Sequence, residues 1–350
     1  MLEIDGSQKS GSGTILRLAV ALAAILGESI HVYRIRAKRP NPGLRPQHLE
    51  AVRTAAKLCN AKVDGDSVSS REIWFTPGRI RGGEIRARIG TAGSISMLIM
   101  TVLPICVFAE RETVIHVSRG GTDVRNAPTI NYLRMVMLPV LRKMGVEAEI
   151  TVHRYGYYPK GHGEATLRVR PRRRLLPIWL DEFGELERVR GISVCTLLKD
   201  RRVADRQADA ARKVLKRRGI DADIEVVYDE SNPIQPGSSI VLWAETSTGV
   251  LLGADAIGEV GKPSERVGRE AAEALLRELD SRATADVHMA DILVPYVAMA
   301  DGPCLYLTRE MTEHLETNIW LTETILNARF SVSKVDGLYR IEKLGSGPWT

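Results

Sequence analysis

The chain has 350 residues, 44% of them apolar, 26% charged and 5% aromatic, with a formal net charge of +6. That apolar content supports a large core in one or two domains, and the charged fraction is ordinary for a soluble protein. So few aromatics argue against a broad stacking platform for single strands, whereas the positive balance suits a polyanionic partner.

The chain opens with a strand-like run, Met1-Leu-Glu-Ile-Asp5. Periodicity predicts helices over 14–26 and 47–59, and strands over 30–35 and 72–75. The pattern then restarts with a strand at 85–89, the glycine turn Gly90-Thr-Ala-Gly-Ser94, a helix over 95–108, a strand at 114–117 and a helix over 128–144. A third round follows residue 280, with helices over 285–300 and 316–328 and a hairpin of 330–335 and 338–341 joined by Asp-Gly. Three α/β units of roughly 80 to 100 residues are expected, each with a four-stranded sheet and two helices. Between the second and third, residues 182–279 read as a β-α-β-β-β-α unit. The predicted organisation is a large domain from 1–181 and 280–340, a small α/β domain inserted at 182–279, and a tail from 341–350.

Other classes find little support. Cys59, Cys106, Cys195 and Cys304 form no C-x-x-C pair, so neither a zinc knuckle nor a redox dithiol is indicated. The apolar stretch 97–109 is short for a membrane span and contains Pro104, so a buried helix and no membrane contact are expected. With no leader pattern at the start, a cytoplasmic location is predicted.

Several blocks carry chemistry-bearing residues. Asp5-Gly-Ser-Gln-Lys-Ser-Gly-Ser-Gly13 joins a strand to a helix, and its small residues allow close backbone approach to an anion. Arg17 follows one turn later. In Arg36-Ala-Lys-Arg-Pro-Asn-Pro-Gly-Leu-Arg-Pro-Gln47, prolines stiffen a loop that presents Arg36, Arg39, Arg45 and Gln47, and such guanidinium forks match phosphate oxygens. A second basic run, 168–174, reads equally well as a charged surface. On a helix, His288 and Asp291 would share one face. His314 stands in a polar run before the apolar stretch 319–325, and a neutral imidazole is a competent nucleophile near pH 7.

The first two blocks, with Arg119-Gly-Gly-Thr-Asp-Val-Arg-Asn-Ala-Pro128, Tyr157-Tyr-Pro-Lys-Gly-His-Gly163 and Thr317-Asn-Ile-Trp320, resemble the RNA 3'-terminal phosphate cyclase family through essentially the whole chain. The resemblance implies three repeats with an inserted domain, and an ATP-dependent ligase that turns an RNA 3'-phosphate into a 2',3'-cyclic phosphodiester. His314 would become adenylylated, and AMP would pass to the RNA before the 2'-hydroxyl displaces it. Arg17, Arg36, Arg39 and Gln47 match residues needed for activity. Arg17, Gln47, Met100, Pro128, His288, Asp291 and Ile292 map to the ATP site, where Pro128 packs on adenine and His288 stacks on its other face. Arg36, Arg39 and Arg45 are candidates for phosphate and RNA 3' ends.

ATP and a divalent metal, magnesium or manganese, are implied as cofactors. The chain departs from the pattern at Ser10, where the family has a metal-contacting glutamate, and at Met100 and Ile292, where it has glutamines. Methionine and isoleucine cannot make an amide's polar contacts, so a less polar nucleotide wall is expected. A cyclase-like RNA-binding protein without adenylylation is the alternative, and an enolpyruvyl transferase a more distant one. A homodimer is compatible with the sequence, which sets no oligomeric state.

Overall fold

The computed structural model describes residues 1–345. Strand β1 (Leu2–Asp5) leads into α1 (Gly13–Leu26), followed by β2 (Ile30–Tyr33), α2 (Pro46–Cys59), β3 (Lys62–Asp64) and β4 (Ile73–Thr76). The sheet order is β1-β2-β4-β3, with β1 and β2 parallel and the other pairs antiparallel. Local chemistry sets the helix limits. The Ser12 hydroxyl accepts the Thr14 N–H at 3.2 Å, and Gly27 ends α1 in the left-handed conformation. Pro46 opens α2, where its missing N–H costs nothing.

The second unit repeats this plan. Strand β5 (Gly83–Arg88), α3 (Ile95–Val107) and β6 (Thr113–Gly120) lead to α4 (Ile130–Tyr132), a π-helical turn (Leu133–Met137) and α5 (Leu138–Lys143). Strands β7 (Glu147–Arg154) and β8 (Gly163–Arg170) complete a sheet of order β5-β6-β8-β7, the connection of the first unit again. The helix expected from residue 128 begins at Ile130, because Thr129 caps it by accepting the Tyr132 N–H at 3.2 Å. Arg168, Arg170 and Arg172, from the second basic run, pair with Glu112 and Glu147 along the exposed face. That run is a charged surface.

The inserted stretch contributes β9 (Leu186–Thr196), α6 (Val203–Lys216), β10 (Ala222–Asp229), β11 (Gly237–Thr246), β12 (Leu251–Ile257) and α7 (Ser264–Ser281). Its four-stranded sheet has the order β10-β9-β11-β12, and α6 and α7 pack on it. The Tyr157–Gly163 block is the joint between this unit and the second. The Asn232 amide donates to Tyr155 O at 2.8 Å and Gly161 O at 3.0 Å, and Lys160 N donates to Gln235 Oε1 at 3.0 Å. A Cβ on Gly237 would come within 2.1 Å of Tyr157 Cγ, so the ring lies directly on that glycine.

The third unit holds α8 (Val287–Met299), β13 (Cys304–Thr308), α9 (Glu313–Leu326), β14 (Arg329–Val335) and β15 (Leu338–Leu344). Its sheet has three strands, order β13-β15-β14, rather than the expected four. The first-strand position is taken by the segment around Ile178–Leu180, which runs parallel to β13 through Trp179 and Leu305. The chain thus leaves this unit after its first strand and returns at its first helix. The hairpin's second strand continues to Leu344, so the start of the expected tail is sheet, while residues 346–350 lie outside the described residues.

The three units bring their helices together. Helix α1 packs on α2, α3 and α9, while α8 packs on α9, α3 and the π turn. Helices α1, α3 and α8 are buried nearly all round, as their continuous apolar runs require. All four cysteines are free and buried. Among the described residues, no helix is long and apolar enough to cross a membrane.

Candidate active site

Helix α9 starts at Glu313, three residues earlier than periodicity suggested, so His314 lies in its first turn. The start is set by Thr312, whose hydroxyl accepts the Leu315 N–H at 2.9 Å and donates to Asp291 Oδ1 at 2.6 Å. This one threonine ties the helix that carries His314 to α8. Asn318, one turn further on, donates through Nδ2 to the Asp291 carbonyl at 2.8 Å. Reversing that amide would set two carbonyl oxygens against each other, so Asn318 Oδ1, buried and without a hydrogen-bond partner among the described residues, is the acceptor end of the amide.

The facing wall comes from α1. Thr14 Oγ1 lies 3.2 Å from His314 Nδ1, and Arg17 Nη2 donates to the same hydroxyl at 3.2 Å. The Ser10 N–H donates to Thr317 Oγ1 at 3.2 Å, which binds the glycine-rich turn to α9. Small residues are needed here. A Cβ on Gly13 would stand 2.3 Å from His48 Nε2 and 2.9 Å from Arg17 Nη1.

His48 was not anticipated as a site residue. It is 4% exposed, and its Nδ1 accepts the Arg45 N–H at 3.3 Å. Burial first, then Arg17, Arg36 and Arg45, push its pKa down to about 2, so a neutral ring forms the floor beneath the guanidinium groups. Burial and Arg36 lower Arg17 to about 10, which still leaves it charged at neutral pH. Arg36 is lowered by burial and by Arg45 and Arg39. The four arginines therefore share one field. Arg36 also braces its loop, donating to Asn41 O at 2.5 Å and Gly43 O at 2.9 Å, while Arg39 and Arg45 are exposed.

The same field acts on His314. Burial, Arg17 and Arg39 lower its pKa against the opposing pull of Glu313, and so favour a neutral imidazole with a free lone pair. Beside it a cleft opens between α1, α3, α8, α9 and the π turn. Arg17, Met100, Asp291, Ile292 and Asn318 line it, together with the apolar Leu18 and Pro295. Burial raises Asp291 to about 7, with Thr312 pulling the other way.

Four residues assigned to ATP thus meet at one cleft. Gln47 stands apart, with its Oε1 accepting the Ser94 N–H at 2.8 Å across the seam between α2 and α3. Pro128 lies outside the cleft lining, and the neighbouring Thr129 N–H donates to Asp255 Oδ2 at 2.7 Å. His288 is exposed at the start of α8, edge-on to Tyr132 with ring centroids 5.8 Å apart.

The metal expectation meets a different donor set. Ser10 is buried, and its hydroxyl lies 3.0 Å from that of Ser12. Neutral hydroxyls are weak anchors for a hard cation. Among the described residues, no group of three or more His, Cys, Asp or Glu side chains is arranged to hold a metal. The residues at this turn do not fit a protein-held divalent ion.

Known proteins share this chain's sequence along its length. The family model described as RNA 3'-terminal phosphate cyclase matches residues 8–332. The chain is 44% identical over 346 residues to the RNA 3'-terminal phosphate cyclase of Pyrobaculum aerophilum, covering 99% of each chain. It is 46% identical over 332 residues to that of Pyrococcus furiosus, covering 95% of each. With the Methanopyrus kandleri protein of the same name it shares 43% over 341 residues, covering 96% of each. The solved enolpyruvyl transferase NikO of Streptomyces tendae aligns at 13% identity over 99% of this chain and 82% of that one, with a TM-score of 0.23, a likeness that carries no argument. The matching family model and these full-length relatives place the chain in the RNA 3'-terminal phosphate cyclase family.

Proposed function

We propose that the chain is an ATP-dependent RNA 3'-phosphate cyclase that works through an adenylylated His314. The observation that carries the reading is one juxtaposition: an imidazole held neutral, bonded to Thr14, between a four-arginine field and a cleft. A lone pair on the ring attacks the α-phosphorus of ATP, an N–P bond forms and diphosphate leaves. AMP then passes from His314 to the RNA 3'-phosphate, giving a phosphoanhydride and freeing the ring. The neighbouring 2'-hydroxyl attacks the terminal phosphorus, loses its proton and expels AMP, closing the 2',3'-cyclic phosphodiester.

The residues divide this work between binding and charge. Arg17, at the cleft wall beside His314, faces the phosphates of ATP. The rigid Arg36–Arg45 loop presents guanidinium groups to the RNA 3'-phosphate, where fixed cations offset the charge gathered around phosphorus. Met100, Ile292, Leu18 and Pro295 offer apolar wall to a base, and Asn318 Oδ1 is an acceptor for an amino group. A divalent metal would supply charge neutralisation at the phosphates, with no ligand set from the glycine-rich turn. Incubation with α-labelled ATP and a divalent metal, followed by a denaturing gel, tests the reading. A label that is acid-labile, base-stable and absent from His314→Asn is expected. RNA binding with strong salt dependence but no adduct would favour the non-enzymatic alternative.

A further inference from the structure

We propose that Thr14 is the residue that makes His314 a nucleophile, by accepting the ring's Nδ1–H and so leaving the Nε2 lone pair free. The inference rests on the reading of His314 as the adenylylated residue. A neutral imidazole carries one proton, and only the other nitrogen can attack. Nδ1 lies 3.2 Å from Thr14 Oγ1, so an in-line approach to phosphorus from that side meets the first turn of α1. Nε2 is then the attacking atom, and the proton must reside on Nδ1.

The Thr14 hydroxyl oxygen is suited to receive it. A hydroxyl has two lone pairs. Arg17 is always a donor, and its Nη2 takes one of them at 3.2 Å, which holds the threonine in place. The second pair faces Nδ1. As the Nε2–P bond forms and the P–O bond to diphosphate breaks, the ring becomes an imidazolium. Its Nδ1–H turns more acidic, and the bond to Thr14 strengthens as charge develops. Strengthening of that kind speeds the chemical step without tightening the binding of ATP. Arg17 repels the same developing charge, so the acceptor oxygen between them has a screening role. The opposite polarity, with Thr14 donating to Nδ1, would put the ring proton on Nε2 and silence it. Thr14 is thus a positioning residue that acts through His314.

Two measurements judge this on the full-length protein. Nitrogen-15 ring shifts of His314, assigned with His314→Asn, report the tautomer without any nucleotide. The Nδ1–H form is expected in wild type and in Thr14→Ser, with that preference lost in Thr14→Val. Single-turnover labelling with ATP is then compared across the same proteins. Thr14→Ser should stay within about two-fold of wild type, while Thr14→Val should slow at least about ten-fold at saturating ATP with its half-saturating concentration little changed. An Nε2–H ring in wild type would overturn the inference, as would a Thr14→Val protein that labels as fast as wild type. Wild type that forms no adduct at His314 would overturn the nucleophile reading itself, and the ring shifts would still judge the hydrogen bond.

Discussion

Two seams of this molecule are built alike and used differently. At one, the N-terminus of α9, from the third unit, faces the N-terminus of α1, from the first. At the other, the N-terminus of α4, from the second unit, faces that of α8, from the third. The second seam is sealed. Asp286 caps α8 by accepting the N–H groups of His288 and Met289 at 3.0 Å, and it also takes the Tyr132 hydroxyl at 2.6 Å and the Gly253 N–H at 2.9 Å. The first seam is open. Among the described residues the His314 ring has one hydrogen-bond partner, Thr14 at 3.2 Å, four arginines stand nearby, and a cleft runs beside it. Repetition supplies a helix end at each seam. What differs is whether the inserted unit fills the gap with Gly253 or the gap stays free for a ligand. A saturated seam supports the fold; an unsaturated one can carry chemistry.

The sharpest test of that contrast is His314→Asn, which should abolish the AMP adduct while leaving the thermal midpoint within a few degrees of wild type. Full labelling in the variant would move the nucleophile elsewhere. Asp286→Ala should do the reverse. It orphans the Tyr132 hydroxyl, the buried N–H groups of Gly253 and Met289 and the partly buried N–H of His288, costing about 3–5 kcal/mol in denaturant unfolding. Any folded fraction should still label at His314.

Arg39→Ala should slow cyclisation about ten- to a hundred-fold, as expected for one charge-assisted phosphate contact of ~1.5–3 kcal/mol. Arg36→Ala should do at least as much, since Arg36 also holds its loop through Asn41 and Gly43. Unchanged turnover in either folded variant would return the loop to the solvated surface.

The neutral floor of the open seam gives a pH signature. The folded state holds His48 near 2, whereas the unfolded chain takes up a proton near ~6.5. The unfolded state therefore binds more protons below that value, and stability falls as pH drops. Replacing His48 with glutamine should remove a loss of about 2 kcal/mol between roughly pH 6.5 and pH 5. Asp291 runs the other way, because a carboxyl raised to about 7 favours the folded state at low pH and loses that advantage as pH rises. A wild-type-minus-variant difference that stays flat with pH would mean that water reaches His48.

The smallest expected effect concerns the cleft wall. Met100→Gln or Ile292→Gln adds an amide to the cleft wall proposed for the nucleotide and should lower the ATP concentration needed for labelling by at most about ten-fold. No change would mean that the base lies elsewhere.

Much of this architecture was legible in the residues. The 3.6-residue periodicity of α1, α2 and α3, the caps and glycine turns, and the Asp-Gly hairpin act over a few residues, and short-range signals survive in a linear reading. Strands β7 and β8 carry the period-2 signal, since Ala148, Ile150 and Val152, and Ala165, Leu167 and Val169, alternate with polar residues, but a helical and glycine-motif reading of this stretch passes over it. Strand β13 is hard to read because Cys304–Thr308 is short, although the Asp301-Gly-Pro303 turn separates it from the apolar α8. His314 was placed ahead of its helix because periodicity begins only at the first buried positions. A Thr-x-x-Leu start, with Thr312 as cap, was the signal available.

By itself the sequence determined which chemistry the chain can bring: a histidine ahead of the apolar run 319–325, arginines on a proline-stiffened loop, and small residues in the first turn. Those follow from side-chain type and local spacing. Tertiary structure alone decided which of them meet. Thr14 and His314 are separated by 300 residues, and His48 looks like any helix residue until Gly13, Arg17 and Arg45 close around it. Gln47, Pro128 and His288 are set apart from the cleft for the same reason. Contacts between units depend on how the sheets of three units bury their helices together, and no local pattern records that packing.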